Sequence, residues 1–292
     1  MSGIITVGLD GTEHASAAAD WAAEEGERRG SALRLVHAWV WRPTDTAYVG
    51  DRTAEERWIR NMLDEARSRV AGQHPALDIT TELIVDDPVP TLLAEAARAD
   101  MLVLGSRGYG TLTGYLIGSI SMKVLRHTAG PVVMVGKPHS GTPQQSQEVV
   151  VGVEPGQIGD AVLEFAFSAA AERGGTLRAV HAWSVPTALA WSPGSLYLVD
   201  EANGLEQINR EVLAETLKPW RDKYPQVEVV EHFEIGSASE VLLSNSADAG
   251  LVVVGRRSHD EAGLRRLGPV THAVLHHATG PVAVVPHDCH PG

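Results

Sequence analysis

The chain of 292 residues has a single cysteine, Cys289, and only 5% aromatic residues. One cysteine cannot form an internal disulfide, so a disulfide-stapled secreted scaffold is excluded. No apolar run approaches the roughly 18–20 residues that a membrane-spanning helix needs. Basic residues are also scarce, with 24 Lys and Arg against 37 Asp and Glu and a formal net charge of −13. Such a surface does not attract polyanions, so we expect neither nucleic acid nor a membrane as a partner.

Several functional signatures are missing as well. The sequence has no GxxxxGK[ST] loop, no HExxH and no GxSxG, and no nucleophile–base set stands out. His272 and His276 have an i, i+4 spacing that could hold a metal, but His277 is simply the repeat of His127, and we predict no metal site. The first residues lack the basic and apolar segments of a signal peptide. We therefore predict a cytoplasmic protein without catalytic residues.

The chain contains two copies of one segment. VGLDG at 7–11 and LRLVHAW at 33–39 return as VGVEP at 151–155 and LRAVHAW at 177–183, both 144 residues later. VLGSR at 103–107 and HTAGPV at 127–132 return as VVGRR and HATGPV, both 150 residues later. The second copy therefore has six extra residues, for which Val185–Gly204 is the obvious place. A repeat of this density predicts two domains of the same fold.

We place these domains at residues 1–137 and 148–287, with the polar stretch Lys137–Glu148 as linker. In the first copy the predicted strands are Ile4–Leu9, Leu33–Ala38, Ile79–Val85, Met101–Leu104 and Val132–Val135. The predicted helices are about Glu13–Arg29, Thr53–Gly72, Pro90–Ala97 and Ser119–His127. This alternation predicts a parallel sheet covered by helices on both faces. Nucleotides bind such sheets beyond the carboxyl ends of the strands, where Asp10, Val85 and Gly105 lie.

The most specific motif is Gly105-x2-Gly108-x9-Gly118-Ser119, in the stretch GSRGYGTLTGYLIGS directly after the apolar run at 101–104. Glycines at the end of a strand let backbone N–H groups approach phosphate oxygens without a Cβ in the way. Together with the VGLDG start and the closing HTAGPVVMV strand, this motif resembles the tandem universal stress proteins common in actinobacteria. The resemblance covers both copies and therefore nearly the whole chain.

The resemblance implies a five-stranded parallel α/β sandwich per copy, of the adenine nucleotide alpha hydrolase-like, Rossmann-like kind. It also implies ATP as the ligand, with Mg²⁺ as a possible companion. By position, Gly8, Leu9 and Asp10 would lie at the adenosine, and Val36 and Val85 beside the adenine. The ribose and phosphates would be wrapped by Gly105, Ser106, Arg107, Gly108, Tyr109, Gly110 and Thr111. The phosphates would be closed off by Gly118, Ser119 and Ile120.

For Asp10, an ordinary role in capping the following helix is the alternative. The histidines at 37 and 181 end equivalent strands, which favours a structural role for both.

The second copy departs from this pattern. Its candidate ligand-binding residues are Gly152, Gly255, Arg256 and Gly268. The middle glycine has become Ser258, the closing serine has become Pro269, and Glu154 replaces the aspartate. Because proline has no backbone N–H to offer a phosphate, nucleotide binding by this copy is in doubt. Arginines such as Arg256 could attract phosphates, or could simply be solvated loop residues.

The implied function is regulatory, in the response to stress or dormancy, through nucleotide-dependent association with itself or with partners. The alternative is a slow ATPase or a phosphoryl- or adenylyl-transfer enzyme that uses the same cleft. The last strands of both copies, at 132–135 and 282–285, are strongly apolar, and an unpaired apolar edge tends to find a partner. We expect these strands to pair within the chain as a pseudo-dimer, and two chains to associate as a homodimer.

Overall fold

The first domain forms the alternating structure that the sequence predicts. The computed structural model describes residues 3–41, 52–108, 115–136, 146–183, 198–258 and 267–288, with backbone only at 107–108, 115–116 and 198–205. The strands of the first domain are β1 (Ile4–Gly8), β2 (Ala32–Ala38), β3 (Ile79–Ile84), β4 (Met101–Gly105), β5 (Arg107–Gly108), β6 (Tyr115–Leu116) and β7 (Val132–Val135). Its helices are α1 (Glu13–Arg29), α2 (Arg52–Gln73), α3 (Pro88–Ala96) and α4 (Ser119–His127).

The second domain repeats this order of elements. Its strands are β8 (Val149–Gly152), β9 (Thr176–Trp183), β10 (Glu228–Ile235), β11 (Leu251–Arg257) and β12 (Val282–His287). Its helices are α5 (Asp160–Arg173), α6 (Leu198–Lys223), α7 (Ala238–Ser244) and α8 (Pro269–His277). Most of the predicted linker and of the predicted insertion lie outside the described residues. None of the helices in the described ranges is long and apolar enough to cross a membrane.

One continuous ten-stranded sheet joins the two domains, in the order β10-β9-β8-β11-β12-β7-β4-β1-β2-β3. Within this ten-stranded sheet the strands of each domain are parallel, whereas β7 and β12 pair antiparallel, with Val282 opposite Met134 and Val284 opposite Val132. The prediction that the closing strands pair within the chain is thus confirmed. The pairing follows from their sequences, because four consecutive apolar residues in β7 are buried on both faces of the sheet.

Helix α1 shows how local sequence sets the element boundaries. Thr12 is the N-cap, and its side chain accepts a hydrogen bond from the Ala15 N–H. Gly30 ends the helix in the left-handed conformation at φ 61°, which a glycine adopts without strain. Between these caps, alanines form a buried stripe that lets the helix pack closely on the sheet, at positions 15, 18, 19, 22 and 23.

On one face of the sheet, α1 of the first domain meets α5 of the second at a buried ionic cluster. Glu25 is fully buried, and its carboxylate oxygens lie 2.8 Å and 3.1 Å from the two terminal nitrogens of Arg173. Arg29 Nε lies 2.6 Å from Glu25 Oε1, and Arg28 NH1 lies 3.2 Å from Oε2. Burial opposes ionisation of Glu25, but the three guanidinium groups prevail and hold its pKa below the ordinary value.

This cluster is symmetric except for the carboxylate. Arg29 and Arg173 are repeat equivalents, 144 residues apart, and the same holds for Trp21 and Phe165. The guanidinium of Arg29 lies 5.6 Å from the Phe165 ring centroid, and that of Arg173 lies 5.9 Å from the Trp21 centroid. The equivalent of Glu25 is an alanine at position 169. A single carboxylate from the first domain therefore compensates arginines from both.

Candidate functional site

A cavity of about 390 Å³ opens in the first domain at the carboxyl ends of β1, β2 and β4. The start of α4 closes its other side. Among the predicted ligand-binding residues, those that line it are Gly8, Leu9, Asp10, Val36, Gly105, Gly118, Ser119 and Ile120. The fold therefore brings into one crevice residues from four separate parts of the sequence. This is the position where open parallel sheets bind their ligands.

Other predicted residues do not line this cavity. Strand β3 ends at Ile84, and Val85, which follows it, is 53% exposed and does not line the cavity. Ser106 is buried, and its N–H donates to the carbonyl of Val135 within the sheet. Arg107 and Gly108 form β5, whose side chains are not described. Three more predicted residues lie outside the described ranges, namely Tyr109, Gly110 and Thr111.

The short hairpin of β5 and β6 was not predicted from the sequence. Arg107 pairs with Leu116 and Gly108 pairs with Tyr115 in antiparallel register. Each strand has only two residues, too few for an alternating pattern to stand out in a glycine-rich stretch. The hairpin brings the two ends of the glycine-rich loop together, next to the first turn of α4.

Residues that sequence reasoning missed complete the wall. They are Thr12, His14, Ala15, His37, Ala38, Pro88, Leu92, Leu104 and Ser121. Pro88 and Leu92 come from α3, which starts two residues earlier than predicted because Asp87 caps it and proline suits its first position. His14 lies in the first turn of α1, and its Nδ1 is buried with no hydrogen-bond partner among the described residues.

Asp10 stabilises the turn between β1 and α1. Its Oδ1 accepts hydrogen bonds from the Thr12 N–H at 3.0 Å and the Thr12 hydroxyl at 2.6 Å. Thr12, not Asp10, then caps α1 through the Ala15 N–H at 3.3 Å. The capping alternative for Asp10 is thus corrected, since the aspartate orients the capping residue and does not itself bond the helix. A carboxylate has further acceptor sites, and this one borders the cavity.

The glycines of the motif have different roles. A Cβ at Gly105 would lie 2.6 Å from the carbonyl carbon of His14 and 2.7 Å from the Ala15 nitrogen. Gly105 is therefore needed for the close packing of α1 on β4, a role that the sequence did not predict. A Cβ at Gly118 would have no atom of the described residues within 4 Å. Of these two glycines, Gly118 is the one that leaves room for a side chain beside the cavity.

The start of α4 offers donors to an anion. Gly118 is the N-cap and provides no side-chain cap, and the first intrahelical bond runs from the Met122 N–H to its carbonyl. The N–H groups of the first turn thus have no intrahelical acceptor. Ser119, Ile120 and Ser121 all line the cavity. Unpaired N–H groups at the positive end of a helix dipole favour a phosphate or another anion.

His37 and His181 have matching structural roles, as their repetition predicts. His37 Nδ1 lies 2.7 Å from the Leu9 carbonyl, and His181 Nδ1 lies 2.9 Å from the Val153 carbonyl. Since a carbonyl only accepts, each Nδ1–H donates and ties the end of one strand to the loop after its neighbour. His37 also lines the cavity, so this bond fixes part of the cavity wall.

The second domain has a cavity of about 300 Å³ at the equivalent place. Its lining includes Gly152, Gly255 and Gly268, together with Glu154 and Pro269. Pro269 is the first residue of α8, so that helix lacks the N–H that Ser119 provides in the first domain.

The ring of His287 changes the shape of this second cavity. The ring packs against Gly255, where a Cβ would lie 2.7 Å from His287 Nε2. Burial lowers the pKa of His287, which favours its neutral form. In the first domain, the backbone at the start of α1 lies in the corresponding place, next to Gly105.

Arg256 does not line this cavity. Its side chain is buried, and it donates hydrogen bonds to the Thr128 carbonyl at 2.5 Å and the Arg126 carbonyl at 3.2 Å. Both acceptors belong to the first domain. We expected Arg256 either to attract phosphates or to be a solvated loop residue. Both expectations are wrong, because its guanidinium binds backbone carbonyls of the first domain at the domain interface.

Comparison with known proteins agrees with this architecture. A model of the family described as "Universal stress protein family" matches residues 1–136 and 146–286. Universal stress protein Rv2005c of Mycobacterium tuberculosis is 33% identical over 291 residues, which cover 96% of each chain. Universal stress protein Rv1996 of the same organism is 33% identical over 309 residues, covering 97% of this chain and 96% of the relative.

A solved structure with the same fold is that of a universal stress protein from Archaeoglobus fulgidus. It aligns with a TM-score of 0.69 at 17% identity and covers 98% of this chain and 99% of that one. With two matched domains and relatives of this identity over nearly their whole length, the chain belongs to the universal stress protein family as a tandem two-domain member.

Proposed function

We propose that the first domain binds ATP and that nucleotide occupancy controls the association of the protein with itself or with a regulatory partner under stress. The observation that supports this best is the convergence of Asp10, Val36 and the uncapped first turn of α4 on one cavity. One side of this cavity is apolar and suits a base, whereas the helix start suits phosphates. Mg²⁺, if it accompanies ATP, would neutralise phosphate charge. The described residues contain no group of three or more metal-ligating side chains.

The direct test is to release bound nucleotide from the purified protein and identify it by mass spectrometry. ATP or ADP at close to one molecule per chain supports the proposal. Protein that carries no nucleotide and shows no thermal shift with added ATP contradicts it and indicates a nucleotide-free scaffold.

The second candidate function is a slow ATPase or transferase that uses the same cavity. His14 and His37 line the cavity, but His37 Nδ1 is committed to the Leu9 carbonyl. We assign no residue as nucleophile or base, so binding without efficient turnover is the function that we propose. A steady-state assay decides, since turnover above roughly 1 s⁻¹, as in ordinary enzymes, would favour the enzyme.

The two domains are expected to bind ATP unequally. Pro269 removes a phosphate-facing N–H from the second domain, and His287 narrows the region beside Gly255. Isothermal titration calorimetry is expected to give close to one tight ATP site per chain. Two equivalent sites would mean that the second domain tolerates both changes. Analytical ultracentrifugation with and without ATP tests the expected homodimer in the same samples.

Asp10→Ala is expected to weaken ATP and ADP by similar factors, because the proposed contact is to the shared nucleoside. A lost hydrogen bond of this kind costs about 0.5–1.5 kcal/mol. The substitution also removes the bonds to Thr12, so the melting temperature is expected to fall. Affinities are therefore measured well below the transition. A larger loss for ATP than for ADP would place Asp10 at the terminal phosphates, and unchanged affinities would leave it only a structural role.

A further inference from the structure

The buried Arg256 joins the second domain to the helix that forms part of the first-domain site. It extends from β11 and is only 2% exposed. Its NH2 donates to the Thr128 carbonyl, and its NH1 donates to the Arg126 carbonyl and to the carbonyl of the adjacent Arg257. Hydrogen bonds from a charged donor are stronger than neutral ones, and a buried guanidinium left without them would be costly.

The acceptors of Arg256 lie at the C-terminal end of α4. That helix ends at His127, with Thr128 as its C-cap, so the Arg126 and Thr128 carbonyls need hydrogen-bond donors from beyond the helix itself. A cation at this end also compensates the negative pole of the helix. Arg256 therefore fixes the C-terminal end of the helix whose N-terminal end lines the first-domain cavity.

Among the described residues, the first-domain equivalent of Arg256 makes no matching contact to the C-terminal end of α8. The residue of the first domain that corresponds to Arg256 is Ser106, 150 residues earlier. Ser106 is 1% exposed, and its Oγ has no hydrogen-bond partner among the described residues. At this position the first domain thus has no guanidinium to offer to the end of α8. The link made by Arg256 runs from the domain with the altered motif to the domain with the intact one.

A second contact leads to the same region. Helix α8 of the second domain packs against β6, the strand at Tyr115–Leu116 that closes the hairpin around the glycine-rich loop. Ile117, which follows this strand, is buried in the same apolar cluster as Val274 and Leu275 of α8. The second domain therefore supports both the hairpin before α4 and the far end of α4.

We propose that Arg256 is a positioning residue of the first-domain nucleotide site, through which the second domain holds α4 in the register that presents its first-turn N–H groups to phosphates. This inference rests on the proposed function. It assigns a role to a domain whose own nucleotide motif is altered, since that domain completes the site of its neighbour. Helix α4 has only nine residues, so we expect a change at its C-terminal end to displace its N-terminal end as well.

The test compares ATP with adenosine in the full-length chain. Arg256→Met keeps an apolar stem of similar length and removes the guanidinium. We expect ATP affinity to fall about tenfold, a typical coupling between linked sites, with adenosine affinity unchanged within about twofold. Arg257→Met is the matched control, because Arg257 is adjacent and exposed, and it lines the second cavity and not the first. It is expected to leave both affinities unchanged.

Arg256→Lys is the second variant and is expected to restore part of the ATP affinity, because lysine keeps the charge but not the fork of donors. It also serves as the test protein if the methionine variant fails to fold. Equal losses of ATP and adenosine in these variants would indicate a general structural role and overturn the inference. Unchanged ATP affinity in Arg256→Met would overturn it while leaving the proposed function intact. Failure of the unmodified chain to bind ATP would instead refute the proposed function itself.

Discussion

Glu25→Ala is expected to destabilise the protein by about 3–5 kcal/mol, because it removes the carboxylate that compensates a buried arginine. The side chain of Arg173 is only 4% exposed, and its two terminal nitrogens both contact the carboxylate of Glu25. Without Glu25, the positive charge of Arg173 would be buried close to that of Arg29, its repeat equivalent in the first domain. The position corresponding to Glu25 is an alanine in the second domain, so no second carboxylate is available there.

Denaturant unfolding measures this effect, and Glu24→Ala is the matched control. Glu24 is the neighbouring acid on α1, but its side chain is 45% exposed and forms an ion pair with Arg28 on the surface. A surface substitution of this kind usually changes stability by no more than about 0.5 kcal/mol. Equal effects of the two substitutions would show that the buried cluster does not hold the domains together.

The pH dependence of stability gives an independent check on Glu25. Its folded-state pKa lies below the ordinary 4.5, because the three arginines outweigh the effect of burial. The stabilisation is therefore fully present above the unfolded-state pKa and is lost as the pH falls through the folded-state value. The difference in unfolding free energy between the unmodified chain and Glu25→Ala is expected to shrink in this acidic range.

Gly118→Glu is expected to weaken ATP binding at least about tenfold, or about 1.4 kcal/mol. The new side chain would stand at the N-cap of α4 and place a negative charge where phosphates are proposed to bind. Within the part of the chain that the structure describes, no atom lies within 4 Å of a Cβ at this position, and the backbone angles there, φ −63° and ψ 156°, suit any residue. The substitution therefore tests the ligand site without straining the fold.

Gly268→Glu is the matched control for this prediction. Gly268 is the N-cap of α8 with almost the same geometry, φ −63° and ψ 159°, and a Cβ there would also meet no described atom within 4 Å. Calorimetry on both variants is expected to show a loss for Gly118→Glu only. An unchanged ATP affinity in Gly118→Glu would mean that the start of α4 is not the phosphate site, and equal losses would place ATP in both domains.

The features that sequence alone predicted depend on neighbouring residues or on repetition. Helix α1 begins and ends where predicted, because Thr12 and Gly30 provide local caps at its two ends. The closing strands were found because runs of apolar, β-branched residues suit a buried parallel sheet, and the doubled sequence indicated two such strands available to pair. The location of the cavity followed from the general rule for open parallel sheets.

The tertiary structure decided the roles of individual side chains, because their partners are distant in sequence. Gly105 is a glycine because the backbone of His14 passes too close for a Cβ. Arg256 bonds carbonyls that lie 128 and 130 residues earlier, and Glu25 meets an arginine 148 residues later. Residue type and spacing indicate that an arginine or a glycine matters. Which group it meets depends on how the two domains pack, and only the folded chain determines that.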